Sequence, residues 1–168
     1  MAGLLVAAAQ GVYLVAQEGA PSANKEAVDR ARNTVKMLDD VYKTAVVLIT
    51  DKYVHSEEDF PAGSAAVALF EAINEKGWHK AQLLDVTGDP YDAKNVADDD
   101  FEKQGIAKIK AGTAFVEAVE KDAEGKLVFR ALTPVPVVME KCVMCHAHYA
   151  DVPKGQAIGV ISYAIPLK

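Results

Sequence analysis

The chain's two cysteines stand in the run Cys142-Val143-Met144-Cys145-His146. This C-x-x-C-H spacing is the attachment pattern of a c-type haem. Thiols three positions apart on a turn can reach the two vinyl groups of one porphyrin, and the residue that follows brings an imidazole up under the iron. In that reading Cys142 and Cys145 form thioethers to a single, covalently attached haem c, and His146 is the proximal axial ligand. Three blander readings use the same residue types. A thioredoxin-like pair wants its C-x-x-C at the start of a helix in a βαβ unit. Here the pair precedes a loop with Pro153 and Gly155 and carries a histidine directly after it. A zinc site drawn from Cys142, Cys145, His146 and His148 needs two ligands adjacent in sequence, which fit a tetrahedron badly, and the usual second half of a zinc motif is missing. A chance occurrence, with a plain buried or disulfide-linked pair, is the third.

A sixth iron ligand is not marked. His148 lies two residues past the proximal ligand and therefore on its side, and Met144 is confined between the two thioethers. Side chains that can approach from elsewhere are His55, His79, Tyr42 and Met37, with Met139 and Lys43 beside them. Each has a commoner duty: a solvated loop for His55, packing or capping for His79, core or surface of a helix for Tyr42, Lys43 and Met37. An open or water-filled sixth position is at least as well supported. Iron without a strong sixth ligand binds small diatomic molecules more readily, whereas a saturated site favours electron transfer. Arg130 and Lys141 are candidate partners for haem propionates, and Trp78 is expected in the core.

Elements must hold this turn in place. The 168 residues are 51% hydrophobic and 25% charged, close to an ordinary globular domain, which excludes collagen-like, disordered and multi-span membrane chains. A net charge of −6 with no basic patch excludes nucleic acid as a partner. A domain of this length buries roughly 70% of its unfolded surface and needs neither disulfide nor metal in order to fold. Residues 2–16 are nearly all apolar but fall short of the roughly 20 that cross a bilayer, which suits a signal-peptide core or an anchor. No Lys or Arg precedes them, and Ala20, Ser22 and Ala23 make a poor cleavage site. The division expected is a signal- or anchor-like segment and linker over residues 1–24 and one domain over 25–168. Export to the periplasmic or extracellular side of the cell envelope follows from it.

Apolar residues at Val28, Ala31, Val35, Leu38, Val41, Ala45, Leu48 and Ile49 predict a helix over residues 25–53, roughly 40 Å long at 1.5 Å per residue. The run from Ala45 to Ile49 is apolar on nearly every side, so it is expected to be covered by other elements and to mark where the core begins. A second helix is predicted over residues 62–76, a strand over 80–86, and a third helix over 98–111, with Asp98-Asp99-Asp100 as its solvated first turn rather than a calcium loop. Residues 113–120 and 126–132 read as a hairpin, and 157–166 as a buried final strand. The class is α+β, an antiparallel sheet flanked by helices.

These features together resemble the periplasmic single-haem PAS-like domains of bacteria, a family found alone or as the sensor part of signalling proteins. The resemblance runs from about residue 38 to 167. It rests on Gly88-Asp89-Pro90 to Asn95, on Asp100-Phe101-Glu102 opening a helix, on Phe129-Arg130 and Pro134 in the hairpin, on the C-x-x-C-H motif, and on Gly155 and Gly159-Val160-Ile161-Ser162. It implies a PAS-like antiparallel sheet with haem held between sheet and helices. A relative in that family uses a helix cysteine on the far side of the iron, and this sequence has no third cysteine.

Two functions follow as expectations. The first is a mono-haem c-type cytochrome-like protein with an electron-transfer or redox role and a redox partner protein, since the sequence shows no output domain. The second is a haem-based sensor of redox state or of a diatomic gas, signalling through a partner with the helix over 25–53 as transmitter. A third, structural option makes the chain a haem-bearing subunit whose residues 2–16 dock into a neighbour or a membrane. Enzymatic turnover is not expected, because no acid/base pair or partnered nucleophile stands out.

Overall fold

The computed structural model describes residues 23–56 and 60–167. The apolar segment over 2–16, its cleavage site and most of the linker lie outside the described residues. Helix α1 spans Lys25–Tyr53 and begins where the Asn24 side chain accepts a hydrogen bond from the Glu26 amide at 2.9 Å. Helix α2 spans Ala62–Asn74, strand β1 Lys80–Asp85, helix α3 Asp100–Lys110, strand β2 Val116–Lys121 and strand β3 Leu127–Pro136. A short helix α4, Lys141–Cys145, and a 3-10 turn, Ala147–Asp151, precede the last strand, β4, at Ala157–Pro166. Asp99 caps α3 by accepting from the Glu102 amide, so the acidic triplet is a helix start, as expected.

The sheet is antiparallel throughout, in the order β1-β4-β3-β2. The last strand is therefore central. It reads AIGVISYAIP and is buried over most of its length, which explains why both of its faces are apolar. One face of the sheet packs Ala81, Phe129, Ala131, Ile161 and Tyr163 against Ala31, Val35, Tyr42, Ala66 and Phe70 of α1 and α2. The other packs Leu84, Leu132 and Val160 against Ile109 of α3. Gly105 lets α3 lie directly on the sheet, because a Cβ there would collide with Leu132 Cδ1.

The α+β class and the order of the longer elements expected from the sequence are those observed, with α4 and the 3-10 turn in addition. Three details differ. The buried stripe of α1 is Ala27, Ala31, Val35, Tyr42 and Thr50, so the core begins well before residue 45. The run from Ala45 to Ile49 is only partly covered: Leu48 is exposed, Val46 and Val47 line a cavity, and of these Val46 also packs against the core. Val41, expected on the inner face, is 56% exposed, and Trp78, expected in the core, is 72% exposed.

Polar groups also tie α1 to the sheet. Asp39 accepts from Tyr163 at 3.0 Å, from Thr133, and from Lys43 at 2.8 Å. Tyr42 stacks on Tyr163 with ring centroids 6.4 Å apart, and its hydroxyl lies 2.8 Å from His79 Nε2. His79 is buried, and burial lowers its pKa from 6.5, which favours the neutral ring that shares a hydrogen bond with the tyrosine hydroxyl. A histidine whose folded pKa lies below its unfolded one binds fewer protons in the native state, so its share of stability falls as pH drops through about 6.5. Urea melts at a series of pH values are expected to show this as a slope of at most about 1.4 kcal/mol per pH unit for this one proton. The slope of His79→Gln, which keeps an acceptor for Tyr42, is expected to be shallower by that proton's share.

Candidate functional site

At one end of the sheet, β1 and β3 finish and β4 begins, and the helices splay away from the strands. The result is a cavity of about 400 Å³. This lies within the usual range of roughly 300–1,000 Å³ for sites that enclose an organic ligand. Its helical wall carries Val46, Val47, Thr50 and Val54 of α1 and its end, with Ala62, Ala66 and Val67 of α2. Its strand wall carries Leu83, Val135, Gly159 and Ile161. Gly159 is the tight point, since a Cβ there would stand 3.1 Å from the Leu84 carbonyl oxygen.

Cys142, Cys145 and His146 all line this cavity. The chain reaches them by leaving the sheet after Pro136, with Pro134 two residues before it. β2 pairs with β3 only as far as Leu132, so these prolines sit where β3 has lost one neighbour and a missing N–H costs no ladder bond on that side. The α4 turn then sets the two thiols three residues apart on one short helix. The cysteines are half-buried and not joined to each other. His146 closes the turn, its amide donating to the Cys142 carbonyl at 3.2 Å.

The imidazole of His146 is held by rings. Tyr149 stacks on it with centroids 4.6 Å apart and planes 17° from parallel, and Tyr91 meets it edge-on at 5.7 Å. Burial, with neighbouring His148 adding to it, lowers the pKa of His146 from 6.5, so the ring is kept neutral, the state in which a histidine nitrogen can bind a metal. Burial pushes Tyr149 up to about 12. His148 contributes no ligand to the cavity: its Nδ1 lies 3.8 Å from Asp89, and its buried Nε2 has no partner. Among the described residues no group of three or more His, Cys, Asp or Glu is arranged to hold a lone metal ion.

None of His55, His79, Tyr42 and Met37 lines the cavity among the described residues. His79 and Tyr42 are occupied with each other, and Met37 is 59% exposed on the outer side of α1. Lys43 and Met139 do line it. The Lys43 ammonium is already committed to Asp39 at 2.8 Å. Arg130 is drawn to Asp99 at 2.7 Å, with Glu102 and Glu120 beyond, and lies outside this cavity. Lys141 does line the cavity, but its ammonium donates to the carbonyls of Asp51 and Val54 at 2.8 Å each and of Thr50 at 3.3 Å. It thereby closes the C-terminus of α1 and moors α4 to it.

The sequence reading missed Tyr149, Tyr91 and the mooring role of Lys141. Tyr149 had a local signal, three residues after the histidine on a turn, whereas Tyr91 arrives from the loop between β1 and α3 and had none. Lys141→Met is expected to cost about 2 kcal/mol, the worth of a charged hydrogen-bond set, in urea melts. Hydrogen exchange is expected to speed up selectively in the last turn of α1 and in α4.

No curated protein matches the sequence. The crystal structure of the cyanobacterial heme-protein Tll0287 superposes with a TM-score of 0.58 at 11% sequence identity, covering 87% of this chain and 98% of that one, which shows a shared fold. The model of the Tll0287-like family matches residues 17–166, a longer stretch than the one read from the sequence. Over nearly its whole length, therefore, this chain belongs to the Tll0287-like family.

Proposed function

We propose that the chain binds one haem covalently, through thioethers at Cys142 and Cys145 and with His146 as proximal iron ligand, and that it serves a one-electron redox role in the cell envelope. The observation that carries this reading is the convergence of both thiols and a neutral imidazole on one largely apolar cavity next to the sheet. The structural neighbour's description as a heme-protein supports it. Thioether formation needs no oxidant: each thiol adds across one vinyl group, its sulfur to one carbon and its hydrogen to the other. Bound haem supplies an iron that changes oxidation state by one electron.

The remaining residues set the surroundings of that iron. Tyr149 and Tyr91 fix the plane of the imidazole, Val46, Val47, Ala66 and Val67 keep water from the helical wall, and the Asp39–Lys43 pair places a neutral ion pair at its edge. The apolar segment over residues 2–16 supports an envelope location. Among the described residues no helix is long and apolar enough to cross a membrane.

One observation favours a second reading, the sensing of a diatomic ligand. The walls from α1 and α2 offer no histidine or methionine to the cavity among the described residues, and their one amine, Lys43, is held by Asp39. A pyridine haemochrome assay and a carbon monoxide titration on protein made with a cytochrome maturation system test both readings. The expected haemochrome is that of a c-type haem at one per chain, retained after acid-acetone extraction and lost in Cys142→Ser/Cys145→Ser. A reduced spectrum unmoved by carbon monoxide supports the redox role, a shifted one supports sensing, and extractable or absent haem contradicts the proposal.

A further inference from the structure

Aromatic and aliphatic side chains surround the mouth of the haem-motif cavity without being buried. Of the nine large apolar side chains exposed among the described residues, four belong to this end of the molecule: Tyr53 at 75%, Phe60 at 66%, Tyr91 at 75% and Val138 at 58%. Tyr91 and Val138 line the cavity themselves. Tyr53 and Phe60 directly precede Val54 and Pro61, which do. They come from the last residue of α1 and from three separate connections, α1 to α2, β1 to α3 and β3 to α4, so no single amphipathic element accounts for the pattern. Exposed apolar groups gathered from distant parts of a chain around one opening mark a contact surface.

Charge identifies what that surface receives. The described connections over residues 86–99 and 137–156 contain six acidic residues against three basic ones, in a chain whose net charge is −6. Part of this acidity is neutralised within the fold, since Asp99 pairs with Arg130. What stays exposed is still acidic: the Asp89 side chain is 83% accessible, and Glu140 is exposed beside Val138. Two of the three basic groups do not offset this at the mouth, because Lys141 is turned into the carbonyls of α1, and Lys94 is carried by the most acidic of the described connections. An apolar centre within an acidic surround is the complement of a basic protein with an apolar contact patch, and such pairing steers encounter and fixes orientation.

We infer that the cavity mouth is the docking surface for a basic redox protein, held by Tyr53, Phe60, Tyr91 and Val138 at its centre and oriented by the acidic connections around them. The inference rests on the redox reading above, because a partner seated here lies over the cavity that would hold the haem. The expected interface is small and short-lived, at the low end of specific contact areas, as redox encounters are.

The test is a titration of the haem-loaded full chain with a basic c-type cytochrome as the probe, both proteins oxidised, followed by NMR shift changes. A lysine oligomer of matched charge is the comparison. Binding is expected at low ionic strength and is expected to weaken at least tenfold at about 0.2 M salt, where exposed charges are screened beyond roughly 8 Å. Tyr53→Ser/Phe60→Ser is expected to weaken binding roughly fivefold at fixed salt without altering the salt slope, and Glu140→Lys to reduce that slope. Salt-independent binding, no binding at low salt, an unaffected Tyr53→Ser/Phe60→Ser variant, or equal affinity for the lysine oligomer each overturn the inference. Loaded protein that fails to bind sinks the docking surface alone, whereas protein that never retains covalent haem removes the redox reading and this inference with it.

Discussion

A single ammonium group determines where the chemistry of this molecule sits. Lys141 donates to three carbonyls at the end of α1, the backbone acceptors that any helix leaves unsatisfied at its C-terminus. That contact ends a helix of 29 residues and anchors the first residue of α4, whose remaining four carry both cysteines. Without it, α4 and the 3-10 turn would be a connection of five plus five helical residues between two antiparallel strands, too short to hold themselves in water. With it, the thiols and the imidazole face the cavity rather than solvent.

The cavity has a cause as well. The first half of α1 packs on the sheet through Ala31, Val35 and Tyr42 and is locked there by Asp39, which accepts hydrogen bonds from Tyr163, Thr133 and Lys43. Beyond residue 43 the packing on the sheet thins, and Val46, which still touches the core, lines the cavity together with Val47 and Thr50. A polypeptide does not leave such a run of β-branched apolar surface unfilled without a reason, because the contacts missing across an empty space are lost stability. The shape of the fold and the chemistry of the α4 turn thus point to one large, flat, apolar guest.

Much of this architecture was legible in the residues. The period of α1, the hairpin ended by Gly125 and the final strand at 157–166 are local patterns, and local patterns survive folding. The C-x-x-C-H run was legible for the same reason, since its spacing alone specifies a turn with two thiols and an imidazole. What could not be read were facts created by tertiary contact. The run from Ala45 to Ile49 has the composition of a core and is in part a cavity wall, and nothing in a sequence separates apolar residues that meet protein from those that meet a guest. Trp78 follows a helix end and has the size of a core anchor, yet it stands in solvent. His79 and Tyr42, both plausible ligands by type, find each other across 37 positions, a pairing that no periodicity reports. Lys141 was read as a partner for propionates, but the carbonyls that hold it lie about 90 residues away along the chain.

The account stands on the covalent bond proposed between the α4 turn and a haem, and peptide mass analysis addresses that bond directly. After proteolysis of protein purified with its pigment, the peptide spanning residues 142–146 is expected to be heavier by the mass of one haem, with no free thiol available to an alkylating reagent. That peptide at its unmodified mass, carrying two alkylatable thiols or a disulfide, would contradict the account and leave the cavity without its assigned occupant.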